Sequence, residues 1–282
     1  MPVNAGPGAA RNLAARQASG EILWFIDADV VAHEEGPRKL LEAFCDRGTG
    51  AVFSSYDNAP PERNFASTYK NLVHRYYHQR AREQSESFWS GCGAVRRSVY
   101  LDLGGFDERK FGRPAIEDVE FGRRIRSAGW KIRLVHDLLG THLKRWTLRE
   151  IVRTDIFQRA VPWSYLILSG GGVSDDLNVS AAERLRAAAA GLWALSIVAA
   201  PLSPPVSFLT LLTMSALVAA INAPLFAFFQ KERGGSFAFR AVSFHQFYYL
   251  YSSATFAICA LAYWIGRRDH VVAVARTYRA TE

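Results

Sequence analysis

From Ala187 to Gln230 the chain contains no Asp, Glu, Lys, Arg or His, and from Ala241 to Gly266 the one side chain that titrates near neutral pH is His245. Runs this long outlast the helices of a soluble core and reach the thickness of a bilayer's hydrocarbon region. They exclude a wholly soluble protein. They predict apolar helices near 187–202, 206–229 and 244–264, the first two separated at Ser203-Pro204-Pro205, a tight-turn signal. A charged loop, Gln230–Arg240, precedes the third. The character of the chain changes near residue 180, which predicts two domains, 1–180 and 181–282.

The first 186 residues carry 27 basic and 23 acidic side chains, within a net charge of +8 for all 282 residues. That mild surplus suits anionic headgroups or phosphorylated ligands. It is too diffuse for nucleic acid, and no basic stripe interleaved with aromatics is present. The three cysteines, Cys45, Cys92 and Cys259, are too few and too odd for a disulfide framework and read as reduced thiols. No apolar signal-peptide core follows Met1.

Before residue 180 strand and helix signals alternate. Residues 9–18 are helix formers, stopped by Ser19-Gly20. Ile22–Ile26 is a short continuous apolar run, as in a strand buried on both faces, and it ends abruptly in Asp27-Ala28-Asp29. Helices are expected at 34–46, 63–83, 97–103, 117–128 and 147–157, and strands at 51–55, 93–95 and 130–135. The alternation predicts an α/β domain with a partly parallel sheet.

Four local patterns carry chemistry. Two carboxylates, Asp27 and Asp29, sit where a strand leaves the sheet. There a turn can share a hard divalent cation with phosphate oxygens. A D-x-D also arises by chance about once in a chain of this size. Glu117-Asp118 opens a helix, where carboxylates also stabilise the dipole. His136, His142 and Lys144 form a third group, each equally readable as an ordinary surface or core side chain. In Trp89-Ser90-Gly91-Cys92-Gly93-Ala94 the glycines permit close approach of backbone to a ligand, or simply a turn.

Taken in order, Ala10-Arg11-Asn12, Phe25–Val30, Gly91–Arg97, Gly104-Gly105-Phe106-Asp107-Glu108, Glu117–Arg124 and His142-Leu143-Lys144-Arg145-Trp146 closely resemble glycosyltransferase family 2, the inverting GT-A type, in a membrane-bound bacterial form. The resemblance covers roughly residues 4–165. It implies an incomplete GT-A (Rossmann-like) domain followed by C-terminal transmembrane helices. It further implies that Asp29, with Asp27, holds Mn²⁺ or Mg²⁺ and the donor's ribose and diphosphate, and that Arg11 lies near the nucleotide. Asp118 matches the catalytic base with Glu117 beside it, His142 a later metal ligand, and Trp89 with Gly91, Cys92, Gly93 and Ala94 the acceptor-side wall. A metal offsets charge on a departing diphosphate, a carboxylate accepts the acceptor's proton, and attack from the opposite face inverts the anomeric centre.

Two departures from the family pattern carry expectations of their own. The family's opening strand–helix–strand segment, which binds the nucleobase, has no counterpart here. This predicts an N-terminally truncated domain whose Ile22–Asp27 strand lies at an open edge, with weak donor binding by residues 1–282 alone. Where processive synthases carry Q-x-x-R-W, the chain reads Gln158-Arg159-Ala160-Val161-Pro162-Trp163, which argues against polymer synthesis. The expected partners are therefore a nucleotide sugar, a lipid-linked or cell-envelope glycan acceptor and the membrane, without nucleic acid. The expected location is the inner membrane, multi-pass, with residues 1–180 cytoplasmic. Arg184 and Arg186 favour that orientation, whereas three crossings place Arg267 and Arg268 outside, so two and three crossings are nearly balanced. The competing readings are a non-catalytic relative or fragment acting as a membrane-bound binding protein, and a membrane protein with an unrelated α/β binding domain.

Overall fold

The computed structural model describes residues 6–171, 175–201 and 204–266; Ser203, Arg267 and Arg268 lie outside them. The chain divides into two compact units, Met1–Thr154 with Ser169–Leu177, and Asp155–Leu168 with Asn178–Glu282. The second unit thus recruits residues from before the compositional break near 180. The reason is packing: Val161 and Tyr165 are buried against Cys259.

In the first unit the order is α1 (Gly6–Gln17), β1 (Ile22–Ile26), β2 (Val30–Ala32), α2 (Gly36–Ala43), β3 (Thr49–Tyr56), α3 (Phe65–Arg80), β4 (Gln84–Ser85), β5 (Cys92–Arg96), α4 (Arg97–Asp102), α5 (Glu117–Ser127), β6 (Lys131–His142) and α6 (Leu148–Thr154). The sheet runs β1-β5-β3-β6-β2, with β4 also on β6. Only β3 and β6 pair in parallel; the remaining pairs are antiparallel. Among the described residues β1 has β5 as its one neighbour and forms an edge.

Side-chain alternation builds a core on each face of the sheet. Leu23, Phe25, Ala51, Phe53, Val95, Ile132 and Leu134 point to one face, where Tyr100, Phe106, Phe121 and Ile125 cover them. Val52, Ala94 and Leu138, with Ile22 and Trp24, point to the other and meet Leu40, Ala43 and Phe44 around α2. Burying each such large apolar side chain stabilises the fold by about 1.5–3 kcal/mol.

β6 is twice as long as the strand expected at 130–135. Its second half lacks the apolar alternation that signals a strand, yet Gly140–His142 pair with Val30–Ala32. The tertiary partner, a three-residue strand of its own, defines both.

In the second unit a π-helical turn, Asp155–Ala160, leads into α7 (Val161–Leu166), and three helices follow: α8 (Ala181–Ala199), α9 (Pro204–Arg233) and α10 (Gly235–Trp264). The expected charged loop at 230–240 is absent. α9 runs through Arg233, α10 begins at Gly235, and the break is Gly234 alone, whose φ of +83° is open to glycine. Among the described residues one segment, Phe208–Arg233, is long and apolar enough to cross a membrane. α10 carries His245, Gln246, Tyr249 and Tyr251, all buried, while Phe239, Phe247, Ile258, Leu261 and Trp264 face outward. Ser236, Arg240, Ser243 and Ser253 are also exposed, so the outer surface of α10 mixes apolar and polar side chains.

Candidate active site

The β1 edge ends at Ile26, and Asp27 N–H donates to Gly91 O at 2.9 Å, carrying the β1–β5 pairing one step beyond the strand. Val30 N–H then donates to Asp27 O (2.9 Å), closing the Asp27-Ala28-Asp29 turn before β2. Leu143 N–H donates to Asp29 O (2.8 Å), which extends the β2–β6 ladder and sets Asp29 beside His142.

The two aspartates have different surroundings. Asp27 Oδ1 accepts from Arg11 Nη2 at 2.5 Å, and Arg11 Nη1 donates to Glu117 Oε1 at 3.2 Å. Arg11 therefore bridges the D-x-D turn to α5. Asp29 Oδ2 lies 3.7 Å from His142 Nε2. The His142 imidazole, with added charge from Lys144, holds the Asp29 carboxyl below the usual carboxylate range despite partial burial. The His142 ring itself stacks on Tyr56, centroids 4.5 Å apart and planes 10° apart.

Glu117 and Asp118 share the N-terminus of α5 but not their partners. Glu117 Oε2 accepts from Ala115 N–H at 2.9 Å, in the turn that precedes α5. Asp118 Oδ2 accepts from Ser90 N–H (3.1 Å) and the Ser90 hydroxyl (3.3 Å). Burial, then the neighbouring Glu117 charge, push the Asp118 carboxyl up from 3.8 to about 6, against the Ser90 bond and the more distant Arg11. A carboxylate of that pKa is matched to accepting a proton near neutral pH.

Next to Ser90, Trp89 meets Tyr56, His74 and His78 at centroid distances of 5.0, 4.6 and 5.5 Å. Burial pushes His78 down to about 4, so this wall is uncharged there, with Nδ1 against Ser54 O at 2.9 Å. A Cβ on Gly91 would lie 2.4 Å from the Trp89 ring and one on Gly93 2.2 Å from Trp89 O. Both glycines are required for Trp89 to lie where it does. Cys92 is fully buried with Val30 and Tyr56, so its side chain packs beneath the wall rather than lining it.

Asn12 accounts for two further motifs at once. Its Nδ2 donates to Phe106 O (2.9 Å) and Glu108 Oε1 (2.7 Å), and its Oδ1 accepts from Phe106 N–H (2.9 Å) and the Tyr100 hydroxyl (2.5 Å). Gly105 has φ +69°, and a Cβ there would fall 2.3 Å from Asn12 Oδ1. The Arg-Asn pair on α1 is thus clamped to the Gly-Gly-Phe loop, which places Arg11 over the Phe106 ring.

The structure joins Arg11, Asp27 and Glu117 in one ionic chain, and Asp29 with His142 in another. His136 stands apart, its Nε2 3.0 Å from Ala81 O. Among the described residues no three His, Cys, Asp or Glu side chains converge as a ready metal cage. Asp29 and His142 supply one hard oxygen and one imidazole. That set fits a Mg²⁺- or Mn²⁺-type ion that takes its remaining ligands from phosphate and water. Tyr56 and His74 carry no signal in the sequence that ties them to this site, and Ser90 lies within the Trp89–Ala94 motif without being marked as a partner of Asp118.

Residues 1–104 match the family model described as Glycosyl transferase family 2, a span holding Arg11, Asp27, Asp29 and Trp89 but not Asp118 or His142. Over 189 residues the chain is 28% identical to the pre-mycofactocin glycosyltransferase of Mycobacterium tuberculosis, in strains CDC 1551 / Oshkosh and ATCC 25618 / H37Rv. The match covers 61% of this chain and 39% of those proteins, so the chain spans well under half their length. The mannosyltransferase PcManGT from Pyrobaculum calidifontis, solved with GDP-Man and Mn²⁺, shares the fold, with a TM-score of 0.51 and 19% identity over 86% of this chain and 66% of that one. The structural likeness shows the fold, an α/β arrangement of the GT-A-like kind. The sequence similarity is to glycosyltransferases, and for residues 1–104 to family 2.

Proposed function

We propose that this chain is a membrane-bound, metal-dependent glycosyltransferase that moves a sugar from a nucleotide-sugar donor to a hydroxyl of a lipid-linked or cell-envelope glycan, with inversion. The observation that carries the reading is Asp118, a half-buried carboxyl that Ser90 orients beside an aromatic wall and whose pKa is raised to about 6.

Asp118 accepts the acceptor hydroxyl's proton as the new C–O bond forms at the anomeric carbon. The bond from that carbon to the donor's phosphate oxygen breaks on the opposite side, and its electron pair leaves with the nucleoside diphosphate. Asp29 and His142 would hold a divalent cation, which would supply positive charge to offset that developing on the leaving group. Arg11 spends its charge on Asp27 and Glu117 and so fixes the turn that carries Asp29. Trp89 and its aromatic neighbours give the acceptor an apolar face to stack on. Nucleotide sugars are cytosolic, so the first unit faces the cytoplasm, and the outward apolar surfaces of α8, α9 and α10 lie in the inner membrane.

The test is a donor screen on membranes containing the full chain, with Mn²⁺ or Mg²⁺, comparing wild type with Asp118→Asn. The amide keeps the shape but cannot take the proton. Transfer is expected to fall about 10²–10⁴-fold with donor affinity little changed. Loss of donor affinity with normal residual turnover would make Asp118 structural instead.

A further inference from the structure

We propose that Asp176 is a positioning residue for the acceptor side, holding the segment Gln84–Ser90 that carries Trp89 and presents Ser90 to Asp118. This rests on the reading of Asp118 as the base. Asp176 lies far along the chain, after α7, yet Ser169–Leu177 returns to the first unit. Its Oδ2 accepts from the Ser85 hydroxyl, from Glu86 N–H at 2.9 Å and from Ser87 N–H at 3.3 Å. Its Oδ1 accepts from Leu177 N–H at 2.9 Å, and Asp175 N–H donates to Glu86 Oε2 at 3.1 Å. Asp176, Ser85 and Ser87 are all buried. Two successive backbone N–H groups aimed at one carboxylate oxygen form an anion-binding nest, filled here by the protein's own side chain.

The nest connects to the site over a very short path. β4 is two residues long and gives the loop little order of its own. Three residues after Ser87 the chain reaches Ser90. Between them Phe88 is wedged so tightly that a Cβ on Gly122 would lie 2.7 Å from its backbone nitrogen, and one on Gly93 2.8 Å from its ring. Leu177, next to Asp176, packs on the same core as Phe88. Fixing Glu86 and Ser87 therefore fixes where Trp89 and Ser90 emerge. Without the carboxylate, buried N–H groups lose their acceptor, and a segment with such groups opens to water.

Asp176→Ala is predicted to speed amide hydrogen exchange in residues 85–90 at least tenfold while Ala51–Ser55 of β3 stays unchanged. With GDP-mannose as donor probe and a membrane lipid extract as acceptor, sugar transfer should fall at least tenfold relative to hydrolysis of the donor, at unchanged donor KM. Asp176→Asn keeps one acceptor oxygen and should restore part of both; it also serves as the test variant if the alanine protein does not fold. Unchanged exchange at 85–90, or exchange that rises equally in β3, overturns the proposal. Transfer and hydrolysis falling in proportion also overturn it. Asp118→Asn runs in parallel: full transfer by that variant removes the base assignment, while the exchange data still decide whether Asp176 holds the loop.

Discussion

Replacing Glu117 by Gln should make transfer faster in acid. The Asp118 carboxyl rises from 3.8 to about 6 through burial first and the Glu117 charge second. Burial is the larger cause, so removing the charge moves the Asp118 midpoint down but leaves it above its ordinary value. A drop of about one pH unit, worth about 1.4 kcal/mol, would raise the ionised fraction at pH 5.5 from about one quarter to about three quarters, a gain of about 3-fold in rate. At pH 8 Asp118 is ionised in both proteins and the gain vanishes. The measurement is the transfer rate at saturating donor from pH 4.5 to 8.5. An acidic limb that stays in place or moves to higher pH refutes the electrostatic account. The same carboxyl has a linked effect on stability. Its folded-state pKa is raised, so its contribution is fully present below about 3.8 and is lost as pH rises through about 6. Asp118→Asn should therefore stabilise the protein by up to about 3 kcal/mol at pH 8 and by little at pH 4, at the expense of activity.

Three further outcomes are expected. Asp29→Ala should weaken metal-dependent donor binding by orders of magnitude, since one ligand of a small set is lost; titration of donor with and without Mn²⁺ reads this, and normal metal dependence removes Asp29 from the site. Asn12→Ala leaves the Phe106 amide and the Tyr100 hydroxyl without partners and should cost about 2–5 kcal/mol, seen as a lower thermal midpoint in detergent; a change under about 1 kcal/mol would show that water replaces the clamp. Phe121→Ala, in the centre of the core, should cost about 3–5 kcal/mol by the same measurement, without altering the pH profile of the remaining folded enzyme.

The elements that rest on local pattern were readable from the residues. Ile22–Ile26 is a strand because five apolar residues are bounded by Gly20 and Asp27, and α3 and α5 were expected as helices, α5 with its stop at Gly129. What escaped is non-local. Nothing within Val30–Ala32 marks a strand until β6 supplies the pairing. The π-helical turn at Asp155–Ala160 looks like ordinary helix in sequence, yet it begins the second unit by burying Asp155 against Tyr251 of α10, whose hydroxyl donates to it at 2.9 Å. At the site, Asp27 and Asp29 read as an equivalent pair, and only the fold shows Arg11 holding one while His142 approaches the other. Asp176 and Ser90 find their partners, the N–H groups of residues 86 and 87 and the Asp118 carboxylate, only through the fold, which no local spacing of side-chain types encodes.

Gly234 has a consequence for sidedness. α9 and α10 each have 30 residues, about 45 Å of helix, and a single residue joins them. A connection that short folds one rod back along the other, so in a bilayer the pair behaves as a hairpin of even parity: the chain comes back to the side it left. Among the described helices α8, with 19 residues and about 28 Å, is left to change the count, and that length barely matches a hydrocarbon layer of about 30 Å. Under the proposed membrane reading, α8 is therefore the described helix whose crossing of the bilayer or rest at its surface decides the side on which α10 ends.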